Sequence, residues 1–213
     1  MKIEKYIIVG TGPSVKALGD SDYNNIPEDV MIISVNSSIL FLPAADIWFT
    51  LDDSARNKKY AKIAEQKGIP VVMAIGKKNL VRPITLERKC SDYNLRKHPK
   101  TPKEWFMKWK CKEGLSESTD SIHTGNSLYG ALNLAYFDRP KKIVLLGLDG
   151  NRAASHGGGH IPNNLSHLPL LFESAVPQLN SAGIDVMNGS IHSAVGCFPR
   201  CSPRDALEWI SKD

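Results

Sequence analysis

The chain has 213 residues, 42% of them hydrophobic and 23% charged, and a formal net charge of +5. These proportions suit a globular protein with one substantial core and exclude a disordered, fibrous or low-complexity chain. No apolar run approaches the ~18 residues that span a bilayer, and Cys90, Cys111, Cys197 and Cys201 are too few and too irregularly spaced for a disulfide framework.

Met1–Lys5 leads directly into a strand-like run, Tyr6–Val9, without the basic, apolar and small-residue succession of a signal peptide, so a cytoplasmic location is expected. A short helix, Ser14–Leu18, follows, then strands Met31–Val35 and Ile47–Leu51, a helix over Ala55–Lys67 and a strand at Val71–Ile75. Further on come a helix Asn126–Phe137, a strand Ile143–Leu148, a helix His167–Ala182, a strand Ile184–Met187 and a helix Pro203–Ser211. Ser202 is placed to cap the last helix, with Pro203 at its first position. Most of the strands are apolar on both alternations, as in sheets covered on both faces. The expectation is an α/β fold: one doubly wound, mostly parallel, Rossmann-like sheet with helices on both faces, forming a single domain over residues 1–213.

Two stretches break the alternation. Residues 76–121 are interrupted by Pro83, Pro99 and Pro102 and read as a lid-like insertion over the carboxyl edge of the sheet, with a short helix around Trp105–Trp109. Arg82–Lys112 holds ten basic and three acidic residues, a local +7 that leaves −2 for the rest of the chain. The second stretch, residues 150–166, holds Gly157-Gly158-Gly159; long loops in compact domains are commonly functional.

The first strand runs into Gly10-Thr11-Gly12-Pro13-Ser14, where α/β proteins cradle phosphates on backbone N–H groups at a helix N-terminus. Pro13 and the lack of a following Lys-Ser or Lys-Thr set it apart from GxGxxG and Walker loops; a plain tight turn is the alternative. Asn36 and Ser37 end the second strand and Asp52 and Asp53 the third, at the strand ends where open parallel sheets bind ligands. Asn36 suits a base or sugar, and Asp52 a metal or sugar hydroxyl; Asp53 or Ser54 could equally cap the next helix. Thr124-Gly125-Asn126 again suits a phosphate, or a cap. Asp149, at the end of an otherwise uncharged strand, requires a partner or ligand. His156, His160, His167 and His192 follow it, and a histidine is a natural general base near neutral pH. His156 with His160 is a weak zinc pattern, and Cys197 and Cys201 could join His192 on a metal or be ordinary thiols.

The order Val9-Gly10-Thr11-Gly12-Pro13-Ser14, Val35-Asn36-Ser37, Thr124-Gly125-Asn126-Ser127 and Leu146-Gly147-Leu148-Asp149 resembles two related groups. One is the MptE-like (DUF115) Rossmann-like proteins, which include a 6-hydroxymethylpterin diphosphokinase. The other is the bacterial sialyltransferases of glycosyltransferase family 42, which use CMP-activated sialic acid. The resemblance covers roughly residues 6–198 without the 76–121 segment. It implies a nucleotide held by Gly10, Gly12, Ser14, Asn36, Thr124 and Gly125, with Thr11, Pro13, Ser37 and Asn126 in the same blocks. It also implies a catalytic histidine between the Gly-x-Asp strand and the next helix, for which His167 is the first match and His160 the second. Residues 150–166 contain no tyrosine, whereas the sialyltransferases use a tyrosine pair on the leaving phosphate, which argues against sialic acid as the donor. His156, His160, Arg152, or Mg²⁺ or Mn²⁺ on Asp52 and Asp149, would take that role.

Three activities follow as expectations. The first is a nucleotide-sugar-dependent glycosyltransferase acting on a hydroxyl of a glycan or of a modified nucleic-acid base, the latter a reaction found where viruses decorate their genomes. The second is a Mg²⁺-dependent phosphoryl or diphosphoryl transferase, disfavoured by the lack of a lysine at the phosphate turn. The third is a non-catalytic nucleotide- or nucleic-acid-binding protein. The acceptor or nucleic-acid surface is assigned to Arg96, Lys97, Lys103, Trp105, Lys108 and Trp109, with core packing as the other reading of the tryptophans.

Overall fold

The computed structural model describes residues 3–73, 85–87, 99–123, 125–150 and 164–212. In chain order these form β1 (Lys5–Val9), a 3-10 turn (Pro13–Ala17), α1 (Asp20–Asn24), β2 (Val30–Val35), a second 3-10 turn (Asn36–Leu40) and β3 (Ile47–Thr50). Next come α2 (Ala55–Gln66), β4 (Val71–Met73), β5 (Thr85–Glu87), α3 (Pro102–Lys108), β6 (Ser121–His123) and α4 (Ser127–Tyr136). The chain closes with β7 (Lys142–Leu146), α5 (Leu168–Glu173), α6 (Val176–Ser181), β8 (Asp185–Asn188) and α7 (Pro203–Ser211).

Six strands make one parallel sheet in the order β4-β3-β2-β1-β7-β8, and β5 pairs with β6 in a separate parallel ribbon. The strand alternation divides the core. Tyr6 and Ile8 of β1, with Ile143 and Leu145 of β7, pack against α4 and α5; Ile7, Val9, Val144 and Leu146 pack against α7 and the first 3-10 turn. Each such side chain contributes about 1.5–3 kcal/mol by leaving water. All ten residues of α4 are buried, as in a central helix, and its polar side chains Ser127 and Asn133 are hydrogen-bonded. The expected α/β architecture with a mostly parallel sheet is therefore present.

The differences have local causes. The helix expected over His167–Ala182 is two helices, because Pro177 lacks an N–H and its ring clashes with the carbonyl four residues back. The helix expected at Ser14–Leu18 is a 3-10 turn that starts at Pro13. The strand expected at Ile143–Leu148 ends at Leu146, since Gly147 turns the chain at φ +70°. Unforeseen were α1, the second 3-10 turn, β5 and β6, which are too short or too polar to show a hydrophobic period. No helix among the described residues is long and apolar enough to cross a membrane.

Candidate functional site

The chain leaves β1 toward β2 on one side, while β7 lies on the other, so the carboxyl ends of β1 and β7 flank the point where the winding reverses. Open parallel sheets place ligand crevices there. At this point the two strand ends are drawn together: Gly10 N–H donates to Leu146 O at 2.8 Å and Gly12 N–H to Gly147 O at 3.1 Å. A Cβ on Gly12 would stand 1.9 Å from Asp149 Oδ2, and one on Gly147 2.9 Å from the Gly10 carbonyl carbon. Only hydrogen fits at either position.

Asp149 is 7% exposed. Ser14 donates to its Oδ2 from both Oγ (2.9 Å) and N (3.3 Å), and Ser190 Oγ donates to its Oδ1 at 2.6 Å. The partner that the sequence required for this carboxylate is therefore a pair of serines. The expected phosphate cradle is altered by the same contacts: the N–H groups of Gly10, Gly12 and Ser14 are all used inside the fold, and Pro13 has none. The turn shapes a wall and leaves the Thr11 N–H as its remaining backbone donor.

Asn36 is held at φ +55°, a left-handed conformation that asparagine tolerates better than most residues. Its Oδ1 accepts from Thr50 Oγ1 (2.6 Å) and Asn57 Nδ2 (3.4 Å), and its carbonyl accepts from Trp48 Nε1 (2.7 Å). Three groups fix this residue, which matches the pattern of backbone strain kept at a ligand site. Asn126 is the cap of α4, its Oδ1 accepting from Leu128 N–H at 2.8 Å; the cap of α2 is Ser54, not Asp53, which pairs with Lys58 at 3.0 Å.

Two clefts result. One, of about 250 Å³, is lined by Gly10, Thr11, Gly12, Pro13, Asn36 and Asn126 together with Asp149, Asn164 and Leu168. The other, of about 940 Å³, is lined by Thr11, Asn36, Ser37, Asp52, Arg56 and Tyr60 among others. They meet at Thr11 and Asn36. Arg56 is the only cation lining either cleft among the described residues. Its position in the first turn after β3 was the available signal, and it was passed over in favour of the aspartates. Ser190 was also passed over, although it lies just past a strand at the same sheet edge.

His167 is 1% exposed and does not line the smaller cleft. Its Nε2 lies 3.2 Å from the Gly125 carbonyl, and its Nδ1 has no hydrogen-bond partner among the described residues. Burial pushes its pKa below the ordinary histidine value, against the pull of the Gly125 and Asn164 carbonyls. Asp52 lines the larger cleft and Asp149 the smaller, and both Asp149 oxygens carry serine hydroxyls, so this pair does not fit the Mg²⁺ or Mn²⁺ site expected of it. No three His, Cys, Asp or Glu side chains gather as a metal site among the described residues. Burial pushes the Cys197 thiol up to about 11, as for an ordinary packed thiol.

Trp105 is 4% exposed and belongs to the core, whereas Trp109 is 45% exposed. Lys103 is exposed and Lys108 half-buried. Arg96, Lys97, Thr124, Arg152, His156 and His160 lie outside the described residues.

No protein-family model matches the sequence, and no curated protein does. Among solved structures, the sialyltransferase CstII from Campylobacter jejuni, in complex with the substrate analogue CMP-3FNeuAc, is similar over 99% of this chain and 88% of its own, with 14% identity and a TM-score of 0.47.

Proposed function

We propose that the protein is a glycosyltransferase that takes a sugar from a nucleotide donor and passes it to a hydroxyl acceptor. The observation that carries this reading is the convergence of separate sequence blocks, the Gly10–Pro13 turn, Asn36 and Asn126, on one cleft at the switch point between β1 and β7. Those are the blocks whose order resembles the family 42 sialyltransferases and the MptE-like proteins. In this reading the donor lies across both clefts, with Arg56 of the larger one facing its anionic part.

His167 is the base in this proposal. Burial keeps its ring neutral at pH 7. Its ring is buried against the Gly125 and Asn164 carbonyls and lines neither cleft, so taking the acceptor hydroxyl proton requires the ring to be uncovered when the acceptor binds.

The test is incubation of the purified protein with CMP-, UDP- and GDP-sugars, following nucleotide release and calorimetric binding. Saturable binding of one donor class, weakened roughly tenfold or more in Arg56→Ala, is the expected result, because removing one charge-assisted bond costs about 1.5–3 kcal/mol. Absence of binding and turnover with every donor would end the proposal.

A further inference from the structure

The described part of the long basic segment brings an aromatic ring against Asn164, a residue that lines the smaller cleft. Trp109 follows α3 as its C-terminal cap. Its Nε1 donates to the Asn164 carbonyl at 3.3 Å, and Asn164 lines the cleft. The ring stacks on Trp105, with centroids 6.1 Å apart and planes 19° from parallel. Trp105 is buried, and α3 packs on α5, so the outer indole is exposed on a rigid backing. Exposed singly, a tryptophan needs no explanation; one bonded to a cleft-lining residue and flanked in sequence by lysines does.

Between Pro102 and Lys110 the charged residues are Lys103, Lys108 and Lys110 and one acid, Glu104. Lys103, Lys108 and Lys110 have no carboxylate partner among the described residues. The ammonium of Lys108 lies 4.9 Å from the centre of the Trp105 ring. Glu104, the only acid in α3, is committed elsewhere: its Oε2 accepts from the backbone N–H groups of Lys100 and Thr101 at 2.6 and 2.9 Å. Lys110 also stands at φ +52°, the left-handed position after a helix that glycine normally occupies. A charged side chain is kept there at a conformational cost.

We infer that this surface binds single-stranded nucleic acid, one base stacking on Trp109 while the strand's phosphates follow Lys103, Lys108 and Lys110. Point cations around an aromatic face suit a phosphodiester chain with bases. A neutral saccharide could stack on the ring but would leave the lysines unused, whereas a phosphodiester strand engages both. That the bound strand is also the sugar acceptor rests on the glycosyltransferase reading; the binding itself does not.

Fluorescence anisotropy with a dye-labelled oligothymidine of about 16 nucleotides tests the surface, with no nucleotide sugar present. Saturable binding is expected, with log affinity falling linearly as log salt rises. Trp109→Ala, assayed well below its melting temperature, should weaken it roughly tenfold, since about 1–3 kcal/mol per stacked base is at stake. Trp109→Phe, which keeps a ring but loses the N–H to Asn164, should retain most of the affinity. Lys110→Gly should lower the salt slope by about 0.7 and raise thermal stability, two effects that no structural role of this lysine would produce together. Three results would overturn the inference: no binding at low salt, equal binding by Trp109→Ala, or displacement by heparin that is insensitive to Trp109. Because donor binding is measured separately, either proposal can fail while the other stands.

Discussion

The switch-point wall, which lines the smaller cleft, and the α3 lip, where Trp109 bonds to that cleft's Asn164, are built on opposite principles. At the wall, backbone meets backbone: Gly10 and Gly12 bond to β7 carbonyls, and the buried Asp149 holds the turn through Ser14 and the end of β8 through Ser190. At the lip, an exposed indole and lysines without a carboxylate partner among the described residues lie on and just after a seven-residue helix whose first turn is closed by its own Thr101–Glu104 capping box. The wall is therefore coupled to the core, while the lip can be altered without touching it. Shape belongs to the first region and charge to the second.

The sharpest way to break this contrast is Gly12→Ala. The added Cβ would meet Asp149 Oδ2 at 1.9 Å and Gly147 O at 2.5 Å, and neither can retreat without opening the wall. A loss of roughly 3 kcal/mol or more is expected by chemical denaturation, at the upper end of overpacking costs. Asp149→Asn should follow at about 2 kcal/mol, because one serine hydroxyl would face an amide N–H instead of an oxygen. Equal stability in that variant would mean that the serines are not held by the charge.

A pH series adds a third measurement. The folded-state pKa of His167 lies below its unfolded value, so the protein binds more protons when unfolded. Its contribution to stability is complete above about pH 6.5 and is lost as pH falls below that toward the folded value, by up to about 1.4 kcal/mol per pH unit. Urea midpoints between pH 5 and pH 8 should show this fall, and His167→Gln should flatten it. The smallest effect belongs to the lip: Thr101→Ala removes the acceptor of the Glu104 N–H and should cost about 1 kcal/mol. Faster amide exchange confined to α3, with donor binding unchanged, would confirm that the two regions are independent.

Much of the fold was legible because burial on both faces leaves its mark on residue type. The runs at Tyr6–Val9, Met31–Val35 and Ile143–Leu146 announce central strands, and all ten buried residues of α4 lie within the apolar stretch that predicts it. The site was legible only as positions at strand ends. That Asn36 and Asn126 border one cleft depends on the order of strands, which no local pattern encodes. The fate of individual donors was also hidden: the Gly10 and Gly12 N–H groups look like a phosphate cradle until β7 is beside them.

From composition and periodicity alone come the α/β class, the succession of strands and helices, and the concentration of positive charge in one segment. Those properties are local: each residue's hydrophobicity or charge acts wherever the chain goes. Tertiary structure alone decided that Asp149 would be satisfied by Ser14 and Ser190, that Trp105 would be buried while Trp109 stays exposed, and that Arg56 would be the cation lining the larger cleft. Each of those outcomes depends on contacts between residues far apart in the chain, and a hydrogen bond, a stacked ring or a cleft exists only once both of its sides have been brought together.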